Sequence, residues 1–172
     1  MPNSQTHDII TVLTAGGANV AYFHFAPHPQ PNLAILFTAA YLFAGYACAG
    51  DLDLVSTEFR RWGPLRFIWL PYQKMVPHRS WISHALVLGG VVRICYLLAM
   101  CCLLMWGGLK VYSYFYSPSL NPTAVTAEKW SSLIYLMKAR PLETSALIGG
   151  FILAGTTHSL SDFTWSWFKR RF

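Results

Sequence analysis

The few acidic and imidazole side chains of this chain stand at the ends of long uncharged stretches. Asp51 and Asp53 directly follow one such stretch, and His158 and Asp162 close the last one. The spacing of four residues places His158 and Asp162 on one face of a helix, one turn apart. Imidazoles and carboxylates are together the usual ligands of divalent transition metals. The pattern therefore predicts a metal site, provided that the fold brings these residues together.

Further residues of the same types stand at two other stretch ends. His78 and His84 lie just before an apolar stretch, and His7 precedes the first one. A single Asp-x-Asp or a single histidine at a helix end is usually only solvated or structural. The sequence favours a metal centre of one or two ions because all these residues are predicted to come together in the fold. The predicted ligands are His7, Asp51, Asp53, His78, His84, His158 and Asp162. A mixed nitrogen and oxygen set suits Zn²⁺ first, with Mn²⁺ and Fe²⁺ as alternatives.

The elements that must position these residues are predicted to be membrane-spanning helices. The chain is 54% hydrophobic and only 12% charged, and residues 9–50 contain no formally charged side chain. About 20 apolar residues suffice to cross a bilayer. The composition thus predicts one all-α domain, an integral membrane bundle of about four spans. These spans are residues 9–26, 32–50, 82–106 and 144–163. An unusually apolar soluble helical protein is the alternative.

Threading four spans through a membrane returns all the predicted ligands to one face. Basic residues concentrate on that face, in the polar loop 51–81 and at the C-terminus, and the positive-inside rule assigns them to the cytoplasm. The threading predicts that Gly107-Gly108 closes the third span and that residues 109–143 do not span. His24 and His28 fall at the opposite face, as interfacial polar residues.

The net charge of +6 does not indicate nucleic acid binding, because no nucleic-acid motif accompanies it. The run of arginines and aromatic residues at 60–72 has two interpretations. It could hold a phosphate or lipid head group, or form an amphipathic segment at the membrane interface. Membrane lipids are the expected partners, together with an anionic or phosphorylated substrate. Arg93 points away from His84 on a helix, and is predicted to pair with a neighbouring helix or to snorkel.

Several motifs together resemble a known bacterial family. They are THD near the start, DLD after a span, RRWGPLRFIWLPY, PHRSWISH and a late H-x-x-x-D. This combination resembles metal-binding membrane proteins of unknown function that are frequent in cyanobacteria. That family is similar to membrane-bound metal-dependent hydrolases with HR…SH and PDxD motifs, themselves similar to zinc-dependent phospholipases. Gly50 stands where the broader group usually has proline. The resemblance covers residues 6–96 and 145–163, and implies a metal site in a bacterial inner or thylakoid-type membrane.

The resemblance suggests hydrolysis, while the substrate stays open. In a metal-dependent hydrolase of phosphoester-like or lipid-like substrates, Asp8, or another carboxylate next to the metal ligands, would act as the base. Arg61 or Arg79 would stabilise the developing charge. The alternative is a non-catalytic membrane protein, or an accessory subunit, with a structural metal. A lipid-phosphate phosphatase is excluded, because Ile152 stands where that family needs an arginine six residues before its histidine.

Overall fold

The computed structural model describes residues 4–48, 50–76 and 86–171, and all regular structure within these ranges is helical. The predicted all-α class is therefore confirmed. Seven α-helices are described: α1 Ser4–Phe25, α2 Pro31–Ala47, α3 Thr57–Arg61, α4 Leu70–Met75, α5 Leu88–Phe115, α6 Pro122–Ala139 and α7 Pro141–Arg171. Two 3₁₀-helices, Gly50–Asp53 and Gly63–Trp69, lie between the longer elements.

Prolines and capping side chains set the starts of the helices. Pro31, Pro122 and Pro141 each open a helix, where the missing amide proton costs nothing and the fixed φ angle is already helical. The side chain of Asn121 also accepts a hydrogen bond from the amide of Ala124, and so caps α6. The sequence therefore encodes most of the helix starts locally.

Helices α1, α2 and α7 form the core of the bundle, and α2 packs most extensively against α7. Glycine permits this close approach, because a Cβ atom on Gly150 of α7 would collide with the carbonyl oxygen of Phe37 in α2. The buried Tyr41 hydroxyl joins the three helices. It lies 2.8 Å from the hydroxyl of Thr14 in α1 and donates to the hydroxyl of Thr157 in α7, also at 2.8 Å.

Two segments, Pro31–Asp53 and Leu88–Phe115, are long and apolar enough to cross a membrane. They give weak support for a membrane location. The other two predicted spans, 9–26 and 144–163, fall on the long helices α1 and α7, and their crossing of a membrane stays a prediction.

The third predicted span and the segment after it differ from the prediction. Helix α5 runs through Gly107-Gly108 to Phe115, because consecutive glycines inside an apolar helix weaken it without ending it. The region 109–143 then contains α6, a regular helix that pairs with α5.

The predicted polar loop 51–81 is also more ordered than expected. Residues 50–75 form two short α-helices and two 3₁₀-helices. Trp69 is fully buried at their centre, with its ring stacked on Tyr96 of α5 at 5.4 Å and edge-on to Tyr72. These aromatic residues extend the main hydrophobic core into this segment, since Trp69 and Tyr72 belong to the same buried cluster as Tyr41. The sequence did not reveal this part of the core, because arginines and prolines stand among the aromatic residues of the segment.

Tyr41→Phe tests the hydrogen bonds that join the three core helices. We expect it to lower the free energy of unfolding by about 1 kcal/mol, since the ring still packs while the hydroxyl contacts are lost. Thermal unfolding in detergent would measure this, with the exposed Tyr135→Phe of α6 as control. Equal stability of the two variants would contradict a structural role for the hydroxyl.

Candidate metal centre

Three of the predicted ligands meet at one end of the bundle. His7 from the start of α1 and His158 and Asp162 from α7 place one ligand atom each within 4.8 Å of one another. All three residues are buried. The first turn of α1 packs against the C-terminal half of α7, and the i, i+4 spacing directs the two α7 side chains to the same side. The predicted convergence of the N-terminus with the last helix is thus present in the fold.

The Asp162 carboxylate lies between the two imidazoles. Its Oδ1 atom is 3.3 Å from Nε2 of His7, and its Oδ2 atom is 3.5 Å from Nε2 of His158. The two rings are stacked, with centroids 4.1 Å apart and an interplanar angle of 24°. Both Nε2 atoms therefore face the same carboxylate.

Asp51 approaches this group from the 3₁₀-helix Gly50–Asp53. Its Oδ2 atom lies 3.7 Å from Nε2 of His158, and its Oδ1 atom is buried with no hydrogen-bond partner in the described part of the chain. Gly50 makes the approach possible. A Cβ atom there would lie 2.9 Å from Cδ2 of His158, closer than side chains tolerate. Glycine at this position therefore allows the turn to rest against the imidazole.

The hydrogen bonds of Ser161 determine the tautomer of His7. The Ser161 hydroxyl donates its single proton to the carbonyl of His158 at 2.7 Å. When the hydroxyl donates there, its oxygen accepts in the 3.2 Å contact with Nδ1 of His7, which places the proton of a neutral imidazole on Nδ1. This leaves Nε2 of His7 as a lone-pair acceptor that faces a carboxylate oxygen.

Nε2 of His7 is buried and has no hydrogen-bond partner among the described residues. An imidazolium would donate from Nε2 to Asp162, but that contact lacks hydrogen-bond geometry. Two acceptors in contact in a buried place repel each other unless a cation or a proton stands between them. The arrangement therefore suits a cation.

More negative charge surrounds the cluster than the prediction included. Asp51 is within electrostatic range of Asp162, Asp53 and Glu58, and the last two are buried. Sequence reasoning missed Glu58. Its place in the first turn of α3 is where an acidic residue favourably meets the helix dipole, so nothing in the sequence marked it as part of a site.

The predicted catalytic pair Asp8 and Arg61 forms a bidentate ion pair. The guanidinium donates to both carboxylate oxygens, at 2.9 and 2.5 Å, and also to the carbonyl of Tyr46 at 3.0 Å. The hydrogen bond to Asp8 raises the pKa of the Arg61 guanidinium above its usual value. The pair thus joins the N-terminal part of α1 to α3 and to the end of α2.

The remaining predicted residues separate into three groups. Asp53 is buried in the same 3₁₀-helix as Asp51, outside the three-residue cluster. His78, Arg79 and His84 lie outside the described residues. His24 and His28 are exposed at and beyond the other end of α1, with His24 about 25 Å from His7 along the helix axis.

A helical bundle with a buried imidazole and carboxylate cluster at one end has the features of a metal-binding protein. The chain belongs to the family described as uncharacterized metal-binding protein (DUF2227), whose family model matches residues 2–172. No curated protein and no solved structure matches the chain. The chain is thus a member of a metal-binding family, and the residues of the cluster fit a metal ion in both donor type and geometry.

Ser161→Ala tests the tautomer argument. We expect metal affinity to fall about 10-fold to 100-fold, since partners that orient a ligating histidine usually contribute this much. Competition with a chelator would measure the affinity of the purified protein. Ser166→Ala in the same helix, farther along α7, serves as the control. Unchanged affinity in Ser161→Ala would mean that Ser161 does not orient His7.

Proposed function

We propose that the protein is a membrane-bound metal-dependent hydrolase acting on a phosphoester-like or lipid-like substrate. Its metal would be held by His7, His158 and Asp162, with Asp51 completing the set. The observation that carries the proposal is the buried contact between Nε2 of His7 and Oδ1 of Asp162. Two acceptors face each other there at 3.3 Å.

The donor set favours a borderline metal ion. Two imidazoles with two carboxylates suit Zn²⁺ first, and Mn²⁺ or Fe²⁺ as alternatives. The further carboxylates of Asp53 and Glu58, with His78 and His84 from the sequence prediction, leave room for one or two ions. A bound ion would lower the pKa of a bound water and polarise a phosphoryl or acyl oxygen.

The exposure of the cluster favours a reaction over a purely structural site. His7, His158 and Asp162 are almost completely buried, whereas 17% of the Asp51 side chain is accessible. A catalytic site keeps one side open to water and substrate, and a structural site is closed. Asp51 stands at the open side, and we assign it two roles: one carboxylate oxygen would bind the metal and the other would accept a proton.

This assignment revises the roles predicted for Asp8 and Arg61. A carboxylate engaged by both nitrogens of a guanidinium is a weak base, and that guanidinium is already occupied. We infer that the pair fixes the N-terminal part of α1, and with it the neighbouring His7. Arg79 keeps its predicted role in stabilising negative charge on the substrate.

The segment between α2 and α5 is proposed to contact membrane lipids. Exposed basic side chains alternate there with exposed apolar ones: Arg60, Leu65, Arg66, Phe67, Leu70 and Lys74. Such a segment between two candidate spans suits the membrane interface, with the cations at the head groups. The positive-inside rule places it on the cytoplasmic side, in a bacterial inner or thylakoid-type membrane.

A structural metal is the second candidate function. The burial of His7, His158 and Asp162 favours it, since an ion there would tie α1 to α7. Both candidate functions require a bound metal, but only the hydrolase would convert a substrate. Metal content and hydrolysis therefore need separate measurements.

Metal content tests the site itself. Protein purified in detergent from cells supplied with Zn²⁺, Mn²⁺ and Fe²⁺ should carry about one or two equivalents of metal by elemental analysis. His7→Ala, His158→Ala and Asp162→Ala should each lose most of it, because each removes one of the three ligand atoms that meet at the site. The sequence predicts the same for His84→Ala and Asp53→Ala.

His24→Ala and His28→Ala are the matched controls, and both should retain the metal. If His28→Ala loses the metal while His158→Ala keeps it, the site lies at the wrong end of the bundle. A wild-type protein without metal would remove the proposal.

Asp51→Asn tests the hydrolytic role. We expect the metal-loaded variant to lose about 10²-fold to 10⁴-fold in kcat on phosphodiester or phospholipid substrates, as when a general base is removed. The exposed Glu128→Gln of α6 is the control. If metal-loaded wild-type protein releases no product from any of these substrates, the structural alternative takes the place of the hydrolase.

A further inference from the structure

Arg93 of α5 is a buried cation beside the candidate metal centre. Only 2% of its surface is exposed. Its Nε atom donates to the carbonyl of Gly89 in its own helix at 2.8 Å, and Nη1 donates to the carbonyl of Cys48 at 2.7 Å. Gly155 of α7 makes room for the guanidinium, since a Cβ atom there would lie 3.2 Å from Nη2. Arg93 therefore does not snorkel; it connects α5 to the end of α2.

Burying a guanidinium is costly unless nearby groups compensate it. The carbonyl of Cys48 is one of the groups left without an intrahelical partner at the C-terminus of α2, where the helix dipole is negative. Asp51 and Asp53 also interact favourably with the Arg93 charge. These groups all belong to the end of α2 or to the turn that follows it.

We propose that Arg93 is a positioning residue for the metal centre, which holds the turn Gly50–Asp53 so that Asp51 meets His158. The inference rests on the proposed function, because it gives Arg93 a role toward that site. Arg93 would act through the Cys48 carbonyl and would touch neither metal nor substrate.

The connection from Arg93 to Asp51 is short. The hydrogen bond from Arg93 holds the Cys48 carbonyl, two residues before Gly50. Gly50 in turn lies against the His158 ring. Asp51 follows directly, with its Oδ2 atom 3.7 Å from Nε2 of His158. The other end of the turn is held as well, because the Gln73 side chain donates to the carbonyls of Leu52 at 3.1 Å and Leu54 at 2.9 Å.

Charge compensation without positioning is the competing explanation. Lysine would keep the charge, but its single ammonium lacks the planar fork that donates to two separate carbonyls. If Arg93 acts by its charge alone, Arg93→Lys should bind the metal as tightly as wild type does. A variant with a neutral residue at position 93 should then bind it more tightly. If it acts by position, Arg93→Lys weakens metal binding.

The experiment uses the full chain in detergent and two independent variants. Arg93→Lys removes the fork, and Gly155→Ala displaces the guanidinium by a few tenths of an ångström while keeping it. Gly149→Ala in the same helix is the control, because its Cβ atom would have no neighbour within 4 Å. Binding of Co²⁺ is followed by its absorption spectrum, and hydrogen exchange is measured on peptides covering residues 50–54.

We expect Arg93→Lys and Gly155→Ala to weaken Co²⁺ binding about 10-fold or more, and to alter the spectrum through the loss of a carboxylate. Both should also speed exchange in residues 50–54, and Gly149→Ala should do neither. In an Asp51→Asn background, Arg93→Lys should cost little further affinity, because the positioned ligand is already absent.

The outcomes separate this inference from the proposed function. If wild-type protein binds no Co²⁺, the metal site fails, and the exchange data alone decide whether Arg93 holds the turn. If both variants match wild type in affinity, spectrum and exchange, the positioning role is wrong. An undiminished effect of Arg93→Lys in the Asp51→Asn background would also overturn it, because Arg93 would then act through another group.

Discussion

The buried contact between the His7 imidazole and the Asp162 carboxylate is the interaction on which the site depends. The packed helices exclude most water from this buried place, so each acceptor needs a donor, a proton or a cation. Ser161 already uses the Nδ1 proton of His7, which leaves its Nε2 lone pair facing the carboxylate. A metal ion there would turn this repulsive contact into an attractive one and would stabilise the packing of α1 on α7.

The helices can bring these groups together because the bundle is packed backbone to backbone. Gly150 allows α7 to approach α2, Gly50 allows the turn after α2 to touch His158, and Gly155 admits the Arg93 guanidinium. In each case the absent side chain leaves room for a group from another element. Small residues are the usual means of close helix packing where lipid removes much of the hydrophobic driving force. In this protein the same small residues also allow charged side chains to come into contact.

Local spacing made part of the site predictable. His158 and Asp162 share a helix face by their four-residue interval, and Asp51 was marked by standing at the end of an uncharged stretch. The return of His7 to the same place followed from counting helices. The sequence could not reveal Glu58 or the contacts of Arg93, since both depend on the angles at which distant elements meet. For the same reason the pairing of Asp8 with Arg61, 53 residues apart, had no local signal.

Two arginines, Arg93 in the interior and Arg61 nearer the surface, connect the candidate metal site to the surrounding helices. The guanidinium of Arg93 is buried against the carbonyl of Cys48, while that of Arg61 pairs with Asp8 nearer the surface. Both guanidiniums donate to carbonyl oxygens at the end of α2, Arg61 to Tyr46 and Arg93 to Cys48, and so hold the backbone that precedes the turn with Asp51. Binding then costs little ordering of the chain. A site suited to turnover needs an open side, which the partly accessible Asp51 would provide in the proposed hydrolase, whereas an ion enclosed on all sides would only hold helices together.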